Sequence, residues 1–171
     1  MVFLPHLVYG PPPDPDTAAR GAFIGLAAHV TRAALYRAVL EGLALQMRVM
    51  LEAMAALPGI ALPSEIRAIG GNIRNELFMQ IKADVYGRPI TVVDEPDASA
   101  LGAALLGGVA AGLWPDLDSA LAGLDRRDHV VEPQHDLVDR YDALRATVFE
   151  PLQPALKPLN RALTTRAQGS G

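Results

Sequence analysis

The chain has 171 residues, a formal net charge of −4 and no cysteine, and 50% of its residues are hydrophobic. A chain of this length buries roughly 70% of its extended surface, so we expect one domain with its own hydrophobic core. A sequence without cysteine forms no disulfide and no thiolate zinc site, and an acidic balance with scattered Lys and Arg argues against nucleic-acid binding. These features are typical of a cytoplasmic protein.

The sequence predicts neither a signal peptide nor a membrane helix. Residues 1–10 are apolar, but they lack a basic region and are interrupted by Pro5 and His6, so they do not predict a signal peptide. The most apolar later stretch, residues 98–113, is about 16 residues long, shorter than the roughly 20 that a membrane helix needs. We therefore expect no membrane partner. We assign residues 1–165 to the domain and expect residues 166–171 to be a flexible tail.

The first part of the chain predicts two strands separated by a loop. Residues 3–8 favour a short strand, and the three consecutive prolines at 11–13 exclude one because they remove backbone donors. Residues 20–26 predict a second strand, which we expect to be the last of an antiparallel group whose other members lie outside this chain. Its unpaired edge predicts self-association or a separately encoded N-terminal partner.

A long helix follows, capped by Thr31 and running to about Leu57, where Pro58 and Gly59 end it. Its apolar residues recur at spacings of three and four, which predicts that they face the core. These residues are Leu35, Val39, Leu43, Met47, Met50, Leu51 and Met54. Glu41 and Glu52 each follow an arginine by four residues, so we expect surface ion pairs rather than a catalytic carboxylate.

The central segment predicts a βαβ unit. Residues 66–69 form a short apolar strand, Gly70 and Gly71 a turn, and residues 72–86 a helix that Gly87 ends; residues 89–93 supply the second strand. In a unit of two parallel strands joined by a helix, ligands bind beyond the carboxyl ends of the strands. The two glycines lie at this position.

The glycine turn is the candidate binding site. Two adjacent glycines allow either a flat ligand against the backbone or a positive φ. We expect Asn72 to cap the helix and Asn75 to point its amide at the occupant of the turn. The turn lacks the Lys and hydroxyl of a P-loop and the third glycine of a dinucleotide motif, which favours a nucleobase. A plain βα turn with an Asn cap is the alternative.

The remaining sequence predicts helices with one edge strand. Asp94, Glu95 and Asp97 either favour the start of the next helix or contact Mg²⁺ or a ribose. That helix spans residues 98–112, and its glycines suggest close packing against the sheet or the preceding helix.

The elements after this helix are shorter. Asp116 or Asp118 caps a short helix, and residues 126–128 form a charged turn. Residues 129–133 form an edge strand or an extended link. Asp136 caps a last helix that Pro151, Pro154 and Pro158 should kink or restart.

Three blocks of this sequence resemble the FGGY carbohydrate kinases, the family of xylulose, glycerol and related sugar or polyol kinases. Residues 20–26 with 31–42 resemble the second signature of the family, residues 69–89 its adenosine-binding strand, turn and helix, and residues 98–104 the helix after it. Two departures are Ala34, where the family usually has a polar residue, and the proline-rich loop 9–16 in place of a Gly-Glu-Arg loop.

The resemblance implies an α/β fold, an incomplete C-terminal half of a ribonuclease H-like (actin-like) ATPase. This fold has a parallel βαβ unit and flanking helices. The resemblance also implies ATP as cofactor, with Mg²⁺ held mainly by the N-terminal half, which also supplies the base and the sugar or polyol contacts. By motif position Gly71 and Asn75 match the adenosine contacts of the family, with Gly70 and Asn72 beside them. The chain alone is therefore expected to be inactive.

Two other functions stay open at this point. A dinucleotide-binding oxidoreductase module is favoured by Gly70, Gly71 and Asp94, the last near the offset of a ribose-binding acid, although the third glycine is missing. A noncatalytic interaction fragment would bind no nucleotide.

Overall fold

The computed structural model describes residues 1–95, 97–124 and 127–168. In these residues the strands form two small sheets. Strands β1 (Val2–Leu4) and β2 (Ala22–Ile24) pair antiparallel, and strands β3 (Ile66–Ala68), β4 (Ile90–Val92) and β5 (His129–Val131) form a sheet in the order β3-β4-β5. No helix in the described ranges is long and apolar enough to cross a membrane.

The described residues also form six α-helices and two short segments of other helical type. The α-helices are α1 (Arg32–Ala55), α2 (Glu76–Tyr86), α3 (Ala98–Ala110), α4 (Leu117–Ala122), α5 (His135–Leu144) and α6 (Glu150–Gln168). A 3₁₀ helix (Gly71–Arg74) precedes α2, and a π-helical segment (Arg145–Phe149) joins α5 to α6.

The predicted βαβ unit is present. Strand β3 pairs in parallel with β4, with Ile66 opposite Ile90, and α2 connects them. Gly87 ends α2 in the left-handed conformation, at φ +61°, which glycine adopts without a steric penalty. Strand β5 pairs antiparallel with β4 at the edge of the described sheet, which is the first of the two alternatives predicted for this segment.

The pairing of β2 differs from the expectation. We expected its neighbours to lie outside the chain, but β2 pairs with β1, with Phe3 opposite Phe23. The rings of these two residues lie 4.6 Å apart between centroids. The segment before the proline-rich loop therefore supplies the missing neighbour.

Helix α1 starts as predicted, because the Thr31 hydroxyl accepts a hydrogen bond from the Ala34 N–H at 3.2 Å. The predicted core face is wrong. Leu43, Met47 and Met54 are 43%, 46% and 54% exposed, and the buried positions are instead Ala38, Leu40, Gly42, Ala44 and Leu45. The small residues Ala38, Gly42 and Ala44 allow α1 to pack closely on β1 and α2. Because this small-residue face is turned towards the core, the longer side chains lie on the outside. We call the exposed row of Tyr36, Leu43, Met47 and Met54 the α1 stripe.

Helix α2 begins later than predicted. Asn75, not Asn72, occupies the N-cap position, and residues 71–74 form a 3₁₀ turn before it. A separate turn lets the chain leave β3 and re-enter a helix at the angle that packing of Phe78, Met79 and Ile81 into the core requires.

The glycines of α3 do not pack as expected. Only Gly108 has a close neighbour, the indole of Trp114, whereas a Cβ at Gly102 or Gly107 would meet nothing within 4 Å. The indole folds back onto the helix because the chain reverses at Gly112, at φ +77°.

Asp116 caps α4 by accepting the Ser119 N–H at 2.7 Å. Residue 126 of the predicted charged turn lies outside the described residues.

The C-terminal helices pack their predicted apolar face on the core: Leu137, Tyr141, Leu144, Val148 and Leu152. The cap of α5 was predicted wrongly, because Gln134 holds that position and Asp136 lies in the first turn. The helical path is interrupted by the π-helical segment just before Pro151, whereas α6 accommodates Pro154 and Pro158. Of the predicted tail at 166–171, residues 166–168 form the end of α6, and residues 169–171 lie outside the described residues.

A buried carboxylate joins α2 to this C-terminal region. Asp84 is 1% exposed, and its Oδ1 accepts hydrogen bonds from the Gln134 N–H at 2.8 Å and from the Gln80 amide at 2.9 Å. The Gln134 bond satisfies a backbone donor at the start of α5 that the helix itself leaves free.

Candidate functional site

The glycine turn forms an open floor at the carboxyl end of β3. Gly70 has φ +84° and ψ −178°, a conformation that side-chain-bearing residues rarely adopt. A Cβ built on Gly70 or Gly71 would meet no heavy atom within 4 Å. Packing against the protein therefore does not explain these glycines, and the backbone at Gly71 is exposed.

Asn75 borders this floor, and its amide is held at both ends. Its Oδ1 accepts the Phe78 N–H at 3.1 Å and thereby caps α2. Its Nδ2 donates to the Tyr36 hydroxyl on α1 at 2.9 Å. The cap fixes which end of the amide is the oxygen, so the NH₂ group faces away from α2 and towards Tyr36.

Asn72 occupies a different position from the one predicted for it. It is exposed and lies inside the 3₁₀ turn, where its carbonyl oxygen accepts the Asn75 N–H at 3.1 Å. Of the four sequence-predicted residues, Gly70 and Gly71 form the open floor, Asn75 lies beside it, and Asn72 contributes through its backbone.

Two hollows flank the turn. One, of about 230 Å³, lies at the carboxyl ends of β3 and β4 and is lined mainly by apolar side chains, among them Ile69, Val93, Leu101 and Leu105. The other, of about 310 Å³, is lined by the 3₁₀ turn, α2 and β5, including Ile73 and His129. The first hollow, mainly apolar with few polar groups, suits a planar ring better than a chain of phosphates, whereas the second also carries the polar side chains of Arg74, Glu76 and Gln80.

The carboxylates that follow β4 bond mainly to backbone. Glu95 accepts the Asp97 N–H at 2.9 Å, and Asp128 accepts the Asp94 N–H at 3.0 Å. Asp97 holds the N-cap position of α3 but makes no capping bond with its side chain. Within residues 1–95, 97–124 and 127–168, no three His, Cys, Asp or Glu side chains form a group able to hold a metal ion. The carboxylates that follow β4 therefore offer no preformed group of three metal ligands.

Glu41 belongs to a second polar cluster, between α1 and α5. Its Oε1 accepts hydrogen bonds from Arg37 Nε at 2.8 Å and from the Tyr141 hydroxyl at 2.8 Å. Burial, followed by the bond to Glu41, raises the pKa of Tyr141 to about 12. The hydrogen bond with Tyr141 raises the pKa of Arg37. The predicted ion pair between Arg37 and Glu41 is present. The hydrogen bond from Tyr141 to Glu41 was not predictable from helical spacing, because the two residues are 100 positions apart in the chain.

The fold and the turn define a class of protein. A βαβ unit with a side-chain-free turn, flanked by helices, corresponds to part of the C-terminal half of an actin-like, ribonuclease H-like ATPase. Residues 1–111 match the C-terminal domain of the FGGY family of carbohydrate kinases. The chain belongs to this family.

Individual proteins agree with this assignment. The chain is 46% identical over 106 residues to the glycerol kinase of Bordetella parapertussis, covering 62% of this chain and 21% of that protein. It is 43% identical over 131 residues to the glycerol kinase of Dechloromonas aromatica, covering 77% and 26%. The chain thus spans about a quarter of the length of these relatives, 21% to 26%.

Solved structures show the same fold. The xylulose kinase of Rhodospirillum rubrum superposes with a TM-score of 0.74 and 30% identity, covering 94% of this chain and 31% of that one. Plasmodium falciparum glycerol kinase with ADP gives a TM-score of 0.71 and 28% identity, covering 92% and 30%. The predicted family and fold are confirmed, and the oxidoreductase and interaction-fragment alternatives are not supported.

Proposed function

We propose that this chain is the adenosine-binding part of a cytoplasmic, ATP-dependent kinase that phosphorylates a sugar or polyol. The observation that carries the proposal is the open floor of Gly70 and Gly71 beside the Asn75 amide. A purine ring needs a flat surface and a few hydrogen-bonding groups at its edge, and this turn offers both.

We propose further that the chain by itself does not phosphorylate a substrate. Phosphoryl transfer depends on positioning a nucleophile and neutralising phosphate charge with Mg²⁺, Lys or Arg. The described residues hold no cluster of three or more His, Cys, Asp or Glu side chains placed to bind a metal, and Glu41 is already bonded to Arg37 and Tyr141. A coupled assay with ATP and a panel of sugars and polyols is expected to show no turnover, and turnover would contradict this part of the proposal.

The surface suggests how the remaining parts of a kinase contact this domain. The side chains of the α1 stripe are between 43% and 54% exposed, and each strand of the β1-β2 sheet has an edge that no other described strand pairs. Exposed apolar rows and free strand edges are usually covered in a working protein. We propose an N-terminal kinase half or a second copy of this chain as the partner.

The nucleotide assignment is tested by titrating ADP, ATP and NAD into the protein by calorimetry. We expect weak binding of ADP and ATP and none of NAD. Asn75→Ala removes the amide at the edge of the floor and should weaken binding measurably, whereas Asn72→Ala is the matched control, because only the backbone of that residue is engaged. Equal binding by both variants would contradict the assignment.

A further inference from the structure

Tyr36 is joined to the candidate site by a hydrogen bond that sequence motifs do not indicate. It lies near the start of α1, 39 residues from Asn75 in sequence, and its hydroxyl accepts the Asn75 Nδ2–H at 2.9 Å. The residue is 54% exposed. Because Tyr36 is exposed, its hydrogen bond to Asn75 does not contribute to the packing of the hydrophobic core.

The hydrogen-bonding capacity of the pair leaves two donors free. Asn75 has one oxygen, which caps α2, and two amide hydrogens, one of which Tyr36 accepts. The phenol accepts in this bond, so its own hydrogen remains available to donate. Two donors therefore lie side by side, and the ring nitrogens of a purine are acceptors.

The bond also limits the motion of the amide. Without Tyr36, the capping bond to Phe78 is the one bond to a described residue that holds the Asn75 side chain, and a single bond at the surface exchanges readily with water. With Tyr36, both ends of the amide are fixed before a ligand arrives, which lowers the entropic cost of binding.

We propose that Tyr36 is a positioning residue that fixes the Asn75 amide in the orientation that binds the purine of an adenine nucleotide. This role rests on the function proposed above. The net value of one such bond, about 0.5 to 1.5 kcal/mol, corresponds to a change in affinity of roughly two- to tenfold.

The test compares Tyr36→Phe with Tyr9→Phe. Tyr9 is also 54% exposed, and its hydroxyl makes no hydrogen bond to any described residue, so its substitution removes the same atom from an unrelated place. ADP is titrated to millimolar concentration while NMR follows the Gly70 and Gly71 backbone amides and the Asn75 side-chain amide. A double variant with Asn75→Ala completes a cycle.

Four outcomes are decisive. Support requires that Tyr36→Phe shift the Asn75 side-chain resonances, weaken ADP binding two- to tenfold, and add no further loss to Asn75→Ala, while Tyr9→Phe changes none of these. ADP binding of equal strength in Tyr36→Phe and the parent protein would overturn the role of Tyr36 and leave the nucleotide site standing. Unchanged Asn75 resonances in Tyr36→Phe would also overturn it. If ADP shifts neither glycine in the parent protein, the proposed function fails and the role of Tyr36 fails with it.

Discussion

The backbone of Phe3 in β1 lies directly against Gly42 in α1, so closely that a Cβ on Gly42 would overlap the Phe3 carbonyl. Gly42 is therefore required by the packing of a strand on a helix and not by the helix itself, since glycine lowers helix stability. This contact fixes the rotation of α1 about its axis, and that rotation places the longer apolar side chains outside.

Gly42→Ala is expected to destabilise the protein by about 1 to 3 kcal/mol, the usual cost of overpacking a close contact. Gly102→Ala in α3 is the matched control, because its Cβ would meet nothing within 4 Å. The control should stabilise by about 0.5 to 1 kcal/mol, as alanine does in a helix interior. Urea unfolding of both variants measures this, and equal effects would refute the packing account.

The pKa of Tyr141, raised from an ordinary value of 10 to about 12, predicts a change in stability in alkaline solution. A pKa that is higher in the folded state contributes stability that is complete below about pH 10 and is lost as the pH rises towards 12. At pH 8, Tyr141→Phe should cost about 0.5 to 1.5 kcal/mol because the hydrogen bond to Glu41 is lost. This cost should shrink between pH 10 and 12. Unfolding curves across that range, with Tyr9→Phe as control, test it, and a pH-independent cost would be the contrary result.

Asn75→Asp separates the two roles of this residue. The substitution keeps an oxygen that accepts the Phe78 N–H, so the cap of α2 should persist, and a negative charge is favourable at a helix N-terminus. It removes the amide donors, so ADP binding should fall at least tenfold. Thermal unfolding and ADP titration give the two readouts. Retained ADP affinity would show that the amide donors do not contribute to binding.

The α1 stripe predicts association. Met47 is 46% exposed near the middle of α1, so Met47→Glu should reduce self-association or binding to an N-terminal kinase half, with little loss of stability because no core contact is removed. Glu76→Gln is a surface control on α2, since Glu76 is exposed. Sedimentation velocity over a range of concentrations measures association. A parent protein that stays monomeric and binds no such partner would count against an interface at the stripe.

Local sequence signals predicted the βαβ unit, because Gly70, Gly71 and Gly87 mark the turn and the helix end with their own backbone preferences. The Thr31 cap was predictable for the same reason, since its bond spans three residues. The exposed face of α1 was not predictable, because helical spacing gives an apolar face without saying which neighbours are small enough to approach. Tyr36 was missed because its bond to Asn75 depends on how α1 and α2 pack, which no local pattern encodes.

The Asp84 carboxylate affects how this protein can be divided. The family match ends at residue 111, yet Asp84 lies inside it and binds the backbone of Gln134 outside it. A fragment cut at the end of the match would leave a buried charge without one of its donors and would uncover the surface on which Tyr141 and Phe149 pack. Chimeras with other kinases should therefore exchange α2, α5 and α6 as one cassette, with no junction placed between them.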